Sequence, residues 1–151
     1  MRVRNALSKA LLAATACVAL TAGTVPATAA DVRAEADRIM GLSRADFIHH
    51  PHHAPFDWNT DGCTAWPDGV FYEACAQHDF GYRNYGRHGT TRLALSPTPE
   101  TKAWIDERFH HQLRSACNES HPAGSKRQAC LGEAKLMYTG LLAGLADGAF
   151  Y

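Results

Sequence analysis

The feature that most limits how this chain can fold is its set of four cysteines outside the N-terminal leader, Cys63, Cys75, Cys117 and Cys130; the fifth, Cys17, lies within the leader. An even number of cysteines in a chain with an export leader favours two disulfides. A zinc site is the alternative, but the long spacings include no C-x-x-C pair. Three pairings are possible, and pairing neighbours closes two short loops, each adding about 3 kcal/mol in the chain-entropy description. We therefore prefer Cys63 with Cys75 and Cys117 with Cys130.

The N-terminal segment, residues 1–30, has the three parts of a secretory signal. It begins with Arg2, Arg4 and Lys9, continues through the apolar run "ALLAATACVALTAG" and closes on the small residues of "PATAA". This order predicts cleavage near Ala29 or Ala30 and a secreted product. A transmembrane anchor is the alternative, but the apolar run is shorter than the ~20 residues that a span needs.

Residues 31–151 are predicted to form a single domain. The chain has fifteen basic and fifteen acidic residues, and the predicted signal holds three of the basic ones and no acidic one, so residues 31–151 carry a net charge of about −3. A mildly acidic chain has no electrostatic basis for binding nucleic acid, nor for binding an anionic membrane through bulk charge. A domain of this size can form a core, and cross-links help to stabilise it.

Helical periodicity dominates the domain, and no useful strand-like alternation occurs. Helices are predicted over residues 31–42, 69–85, 101–117 and from 125 to about 145, with a short turn opened by Ser43 and Asp46. Thr98 with Pro99, and Ser125 with Gln128, resemble helix starts. The apolar stripe of the 101–117 helix includes Trp104, and that of the last helix reaches Leu145. A long loop from His49 to Asp68 completes a small all-α, disulfide-stapled helical bundle.

His78 and Asp106 are the candidate catalytic pair. His78 lies on the apolar stripe of its helix, and Asp106 lies beside the stripe of the 101–117 helix. If the two helices pack antiparallel, the carboxylate can hold one ring nitrogen and leave the other free as a base. Water is the expected nucleophile, because no serine or cysteine is placed for attack. The alternative is a core histidine satisfied by a carboxylate.

A candidate metal site adjoins this pair. The carboxylate of Asp79 points away from the stripe, and a Cys63–Cys75 bridge would bring the "NTDGC" loop beside it. Asp61 then adds a second carboxylate and Gly62 a backbone carbonyl, an all-oxygen set that suits calcium. A lone Asp-Gly pair is more often only a turn, so the prediction depends on the combination.

Two further groups leave alternatives open. The histidine-rich segment contains His49, His50, His52 and His53, and it is typical either of a zinc or copper tract or of a solvated, mobile loop. The prolines that interrupt it favour the loop. Trp58, Trp66 and Phe71 either rim an apolar pocket or interface, or belong to the core.

The segment from Asp57 to Cys130 resembles the secreted phospholipase A2 enzymes of the short bacterial and fungal type. The resemblance rests on "WNTDGCTAWPDG", "YEACAQHDFGYRNYG", "IDERF" and the order of the four cysteines. It implies that His78 is the general base for water and that Asp106 orients it. It also implies calcium binding by Asp61, Asp79 and the carbonyl of residue 62, and the disulfide pairing already preferred.

The activity that the resemblance implies is calcium-dependent hydrolysis of the sn-2 ester of glycerophospholipids, releasing a fatty acid and a lysophospholipid. We expect a secreted monomer that meets its phospholipid at a membrane or micelle surface. A non-catalytic secreted module that binds calcium or lipid on the same scaffold is the alternative. Gly62 departs from the larger apolar residue more familiar in relatives, which puts loop rigidity and calcium affinity in question. The "CCxxHDxCY" pattern of the animal enzymes is absent, so their lipid specificity does not transfer.

Overall fold

Helices and connecting loops make up the structure, a computed structural model that describes residues 27–151. In chain order the helices are α1 (Ala29–Met40), α2 (Arg44–Ile48), α3 (Tyr72–Tyr85), α4 (Pro99–Ser120), α5 (Ser125–Leu142) and α6 (Asp147–Phe150), with a 3₁₀ turn at Gly69–Phe71. Residues 27–151 contain no β-strand, which confirms the predicted all-α class. Within that range no helix is long and apolar enough to cross a bilayer. The predicted signal falls almost entirely outside the described residues and stays a prediction.

Two predicted helix starts are confirmed at the level of single hydrogen bonds. The Ser43 hydroxyl accepts the backbone N–H of Asp46 at 3.1 Å and opens α2. The Thr98 hydroxyl accepts the N–H of Thr101 at 3.3 Å, and Pro99 is the first residue of α4. Both caps satisfy donors that the first helical turn leaves without partners.

The last helix begins at Ser125 as predicted, but its predicted capping box and its predicted C-terminal end were wrong, and a glycine explains each. Gly124, at φ 141°, takes the N-cap position of α5, so Ser125 is already helical and forms no capping box with Gln128. At the other end Gly144 adopts φ 82°, a left-handed conformation that commonly ends helices. Leu145 therefore lies beyond the helix and is 83% exposed rather than part of an apolar stripe.

Helices α3 and α4 pack antiparallel, as the sequence predicted. The ring of His78 lies 4.5 Å from that of Phe109. Tyr85, which comes later in α3, contacts Trp104, which comes earlier in α4, with their ring centroids 5.7 Å apart. The buried face of α4 differs from the prediction in one respect. Trp104 is 39% exposed, and Asp106 is only 2% exposed. The buried face of α4 is therefore centred closer to Asp106 than to Trp104.

The two disulfides fasten the surroundings of this helix pair. Cys63 bonds to Cys75 and joins the long loop to α3, with a Cα separation of 5.2 Å. Cys117 bonds to Cys130 and joins α4 to α5 across 5.6 Å. Both bridges belong to one buried cluster formed with α3, α4 and α5, and the preferred pairing is confirmed.

A second buried cluster joins α1, α2, α3, α4 and α6. Its members include Ile39, Met40, Phe47, Phe80, Tyr85, Ile105 and Phe150. The amide of Gln77, fully buried on α3, donates to the carbonyls of Ile39, Met40 and Leu42 at 3.1 to 3.2 Å. These carbonyls lie at the C-terminal end of α1 and just beyond it, so Gln77 fixes α1 against α3.

Candidate active site

The structure brings His78 and Asp106 together across the α3–α4 seam. Nε2 of His78 lies 2.9 Å from Oδ1 of Asp106, and the two side chains are 10% and 3% exposed. An ionised aspartate here places the ring proton on Nε2, so Nδ1 carries a lone pair. Within the described residues Nδ1 has no hydrogen-bond partner, and His78 lines a cavity. The free nitrogen is thus accessible to a small molecule.

Two further donors hold Asp106. The Tyr82 hydroxyl donates to Oδ1 at 2.7 Å, and Nζ of Lys102 donates to Oδ2 at 2.8 Å. Burial alone would raise the pKa of Asp106, but hydrogen bonds from His78, Lys102 and Tyr82 outweigh it and hold the pKa below its ordinary value. Burial, and then the adjacent Asp106, raise the pKa of Tyr82 well above its usual range. Asp106 is therefore an ionised, fixed acceptor at neutral pH.

Sequence reasoning missed Tyr82 and Lys102. Tyr82 follows His78 by four residues, and Lys102 precedes Asp106 by four, so each shares a helix face with its partner. That spacing was the signal available in the sequence. Nζ of Lys102 also bonds to Asp147 at 3.1 Å. No short-range pattern pointed to Asp147, because it reaches the site from the C-terminal helix α6.

Asp79 lies under the loop that precedes Cys63. Its Oδ2 accepts the Thr60 hydroxyl at 2.7 Å and the backbone N–H of Asp61 at 3.2 Å. Burial raises the pKa of Asp79, and the negative charge of Asp61 raises it further. The hydrogen bond from Thr60 lowers the pKa but does not outweigh these effects, so the pKa lies above its ordinary value. A bound cation would stabilise the charged form of a carboxylate that is desolvated and lies beside a second carboxylate.

Gly62 adopts a conformation that other residues rarely take. Its φ is +70°, and a Cβ at this position would overlap the carboxylate of Asp68. That carboxylate accepts the backbone N–H of Cys63 at 2.9 Å. The glycine that departs from the familiar pattern is thus required by the local path of this loop, because Asp68 occupies the space of a side chain.

The donor set at this loop fits a hard cation in its chemistry. Asp61 and Asp79 supply carboxylate oxygens, and Gly62 supplies a carbonyl between them in the chain, all of them oxygen ligands of the kind calcium prefers. The Asp61 side chain is 57% exposed and bonds to Arg83 at 3.1 Å and to Thr64 at 3.0 Å. A cation at this loop would compete with Arg83 for Asp61.

A cavity of about 420 Å³ joins the two groups of residues. Asp61, Gly62, His78 and Asp79 line it, and Asp106 lies behind His78. Thr64, Tyr82, Arg83 and His88 also line it, and apolar side chains make up most of the remainder, among them Trp66, Phe109, Met137, Leu141, Leu145 and Ala149. The predicted histidine base and the predicted metal ligands therefore face one largely apolar chamber, as a site for an amphipathic molecule requires.

Trp58, Trp66 and Phe71, which the sequence placed either at a pocket rim or in the core, occupy different places in the structure. Trp66 lines the cavity and is 36% exposed. Phe71 is buried with the disulfide cluster. Trp58 packs on Phe80 at 4.7 Å and on the histidine-rich segment, away from the cavity. Of the three, only Trp66 occupies the pocket rim that the sequence suggested.

Comparison with known proteins agrees with this geometry. The family described as prokaryotic phospholipase A2 matches residues 42–143. A secretory phospholipase A2 of Beauveria bassiana, strain ARSEF 2860, is 35% identical over 89 residues, which are 56% of this chain and 42% of the relative. The chain thus spans less than half the length of that relative. The family match includes all of the predicted site residues and the four paired cysteines, and the chain belongs to the prokaryotic phospholipase A2 family.

Proposed function

We propose that this protein is a secreted, calcium-dependent phospholipase A2 that hydrolyses the sn-2 ester of glycerophospholipids. The observation that carries the proposal is the 2.9 Å contact between Nε2 of His78 and Asp106, in a histidine that lines a largely apolar cavity. Membership of the prokaryotic phospholipase A2 family supports the reaction class. The products are a fatty acid and a lysophospholipid, formed at a membrane or micelle surface.

His78 acts as the general base in this proposal. Its Nδ1 takes a proton from a water molecule in the cavity as the water oxygen attacks the ester carbonyl carbon. The resulting imidazolium keeps its Nε2–H bond to Asp106, whose negative charge stabilises it. The same proton then passes from Nδ1 to the departing glycerol oxygen. Tyr82 and Lys102 keep the aspartate in position through this cycle.

Asp61, Asp79 and the carbonyl of Gly62 would hold the calcium ion. Bound calcium supplies positive charge that polarises the ester carbonyl and stabilises the oxyanion, an effect of several kcal/mol. Asp79 presents its half-buried carboxylate from below the loop, and Asp61 presents an exposed one from the loop itself. The Cys63–Cys75 bridge keeps the loop on α3, so both carboxylates line the same cavity as His78.

The apolar part of the cavity would accept an acyl chain. Phe109, Met137 and Leu141 line it on α4 and α5, and Leu145 follows α5. Leu145 is 83% exposed and Trp66 is 36% exposed, so both can contact lipid outside the cavity. An acyl chain bound there would carry its ester toward His78.

Release of fatty acid from mixed phospholipid micelles, labelled at the sn-2 position, tests the proposal directly. The purified, oxidised protein should release labelled fatty acid with calcium and stop when excess chelator is added. Release that continues in chelator would refute the metal site but keep the esterase. Absence of release under both conditions would refute the enzyme and favour a non-catalytic calcium or lipid-binding module.

Two substitutions separate the base from the metal ligand. His78→Asn and Asp79→Asn should each lower kcat at least 10²-fold without unfolding the chain, as expected when a general base or a metal ligand is lost. Calcium should still raise the Tm of His78→Asn but not that of Asp79→Asn, because a ligand stabilises only the fold that binds it. His111→Asn, on the exposed side of α4, is the control. Appreciable lipolysis by either site variant would reject these roles.

A further inference from the structure

Three side chains converge on a surface that the proposed reaction does not use. Glu35 lies on α1, and His50 and His53 lie in the loop after α2. Each of the three places one ligand atom within 4.8 Å of the others. None of the three lines the cavity that holds His78. In residues 27–151 this is the one group of three or more such side chains close enough to share a metal ion.

The ring nitrogens of both histidines are already oriented as a metal site needs. Nδ1 of His50 lies 3.0 Å from the carbonyl of Pro51, and Nδ1 of His53 lies 3.1 Å from that of Ala54. A carbonyl only accepts, so each Nδ1 carries the proton and each Nε2 carries the lone pair. Ligating histidines usually donate their other N–H in this way. Nε2 of His53 lies 3.6 Å from Oε1 of Glu35.

Trp58 packs against this part of the loop, whose histidines are mostly exposed, as the solvated-loop interpretation predicted. Its ring stacks on His52 at 4.6 Å and on His50 at 5.6 Å, with interplanar angles of 8° and 13°. Its indole N–H donates to the carbonyl of His53 at 2.9 Å. The two histidines therefore keep a fixed position relative to α1, which lowers the entropic cost of binding an ion.

A positive group already occupies the space between the ligand atoms. A terminal nitrogen of Arg38 lies 2.7 Å from Oε1 of Glu35 and 2.8 Å from Nε2 of His50. The acceptance of a hydrogen bond by Nε2 agrees with a neutral imidazole, the form that binds metals. The Arg38 side chain is 51% exposed, so it can swing into solvent when another cation replaces it.

We propose that Glu35, His50 and His53 bind a divalent transition-metal ion, of the class to which zinc belongs. Two imidazole nitrogens and one carboxylate are a ligand set for zinc or copper rather than for calcium, which takes oxygen ligands. Water completes the coordination shell. The ion links α1 to the histidine-rich loop, and its binding is independent of the proposed lipase reaction.

Zinc titration of the purified protein, without a polyhistidine tag and in excess calcium, tests the site. We expect one zinc per chain by calorimetry and equilibrium dialysis, and a rise in Tm with zinc. Glu35→Gln, His50→Asn and His53→Asn should each lower the zinc affinity at least tenfold. The control is His49→Asn, which leaves the three ligands and the stacking of Trp58 intact and should keep the affinity of the parent.

Arg38→Met distinguishes a built site from loose binding by a histidine-rich segment. Removal of the competing guanidinium should tighten zinc binding several-fold, a gain that damage to the fold cannot produce. No zinc binding by the parent, equal losses in the control and in the ligand variants, or an unchanged or weaker affinity in Arg38→Met would overturn the proposal. Because binding rather than lipolysis is measured, these outcomes do not depend on whether the proposed enzyme activity is found.

Discussion

Replacement of Lys102 by methionine tests the ion pair that supports Asp106. The Lys102 side chain is 8% exposed, and its ammonium bonds to Asp106 at 2.8 Å and to Asp147 at 3.1 Å. Methionine keeps most of the apolar stem and the helix propensity but removes the charge. Asp106 would then remain buried with only His78 and Tyr82 as partners.

The two bonds of Lys102 differ in what they contribute. A hydrogen bond between charged groups contributes about 1.5–3 kcal/mol, and the one to Asp106 counts in full because both side chains are buried. Asp147 is 53% exposed, so solvent screening limits its contribution to below about 1 kcal/mol. The free energy of unfolding should therefore fall by about 2–4 kcal/mol. At about 2.1 cal/mol/K of unfolding entropy per residue, that is a fall in Tm of about 8–15 °C.

The pH dependence of this loss identifies its cause. Burial would raise the pKa of Asp106, but its hydrogen bonds lower it below the unfolded value. Its contribution is therefore complete above the unfolded pKa of about 4 and is lost as the pH falls through the lower folded value. The parent and Lys102→Met should differ most between pH 5 and 8 and converge below about pH 4.

Urea unfolding of the parent, Lys102→Met and the exposed-site control Lys135→Met, from pH 8 to pH 3, measures this. Lys135 lies on α5 and makes no ion pair with the described residues. The control should lose less than about 0.5 kcal/mol. A loss of equal size in both variants, or a difference from the parent that stays constant down to pH 3, would refute the assigned ion pair.

Two remaining predictions concern the loops around the site. Gly62→Ala should lower the free energy of unfolding by about 1–3 kcal/mol, because φ is +70° and the new methyl group overlaps Asp68. The control is Gly132→Ala, which has open space around its Cβ and should not destabilise the protein. Equal losses of both variants in chemical denaturation would contradict this prediction. Asp57→Asn should cost about 1–3 kcal/mol, because Oδ2 of this buried residue accepts both the N–H and the hydroxyl of Thr90, at 2.6 and 2.8 Å. Burial would raise the pKa of Asp57, but its hydrogen bonds lower the pKa below its ordinary value. The loss of unfolding free energy in Asp57→Asn should therefore shrink as the pH falls below about 4. A loss that does not change with pH in the same assay would exclude the hydrogen-bonded carboxylate as its cause.

Features that depend on residues close in sequence were predictable. The Thr98 and Ser43 caps need only a hydroxyl and an N–H a few residues apart. The disulfides span separations of 12 and 13 residues, for which loop closure favours neighbours. Ser125 shows the limit of this reasoning, since a glycine one position earlier took the cap.

The candidate site was predictable in part, because the meeting of His78 and Asp106 requires only that two helices pack antiparallel. The further donors to Asp106 were recognisable from a spacing of four, yet a lysine at such a position is ordinarily at the surface. Its burial depends on tertiary packing, which also brings Asp147 of α6 to within 3.1 Å of its ammonium.

By itself, the sequence determined the helical class, the cross-links, and the family to which the chain belongs. Tertiary structure alone decided which carboxylates meet Lys102, which space Asp68 takes beside Gly62, and which two of four histidines meet Glu35. The physical reason is the range of the interactions. Caps and helix faces depend on residues within a turn or two, whereas these contacts depend on how loops return to helices distant in the chain.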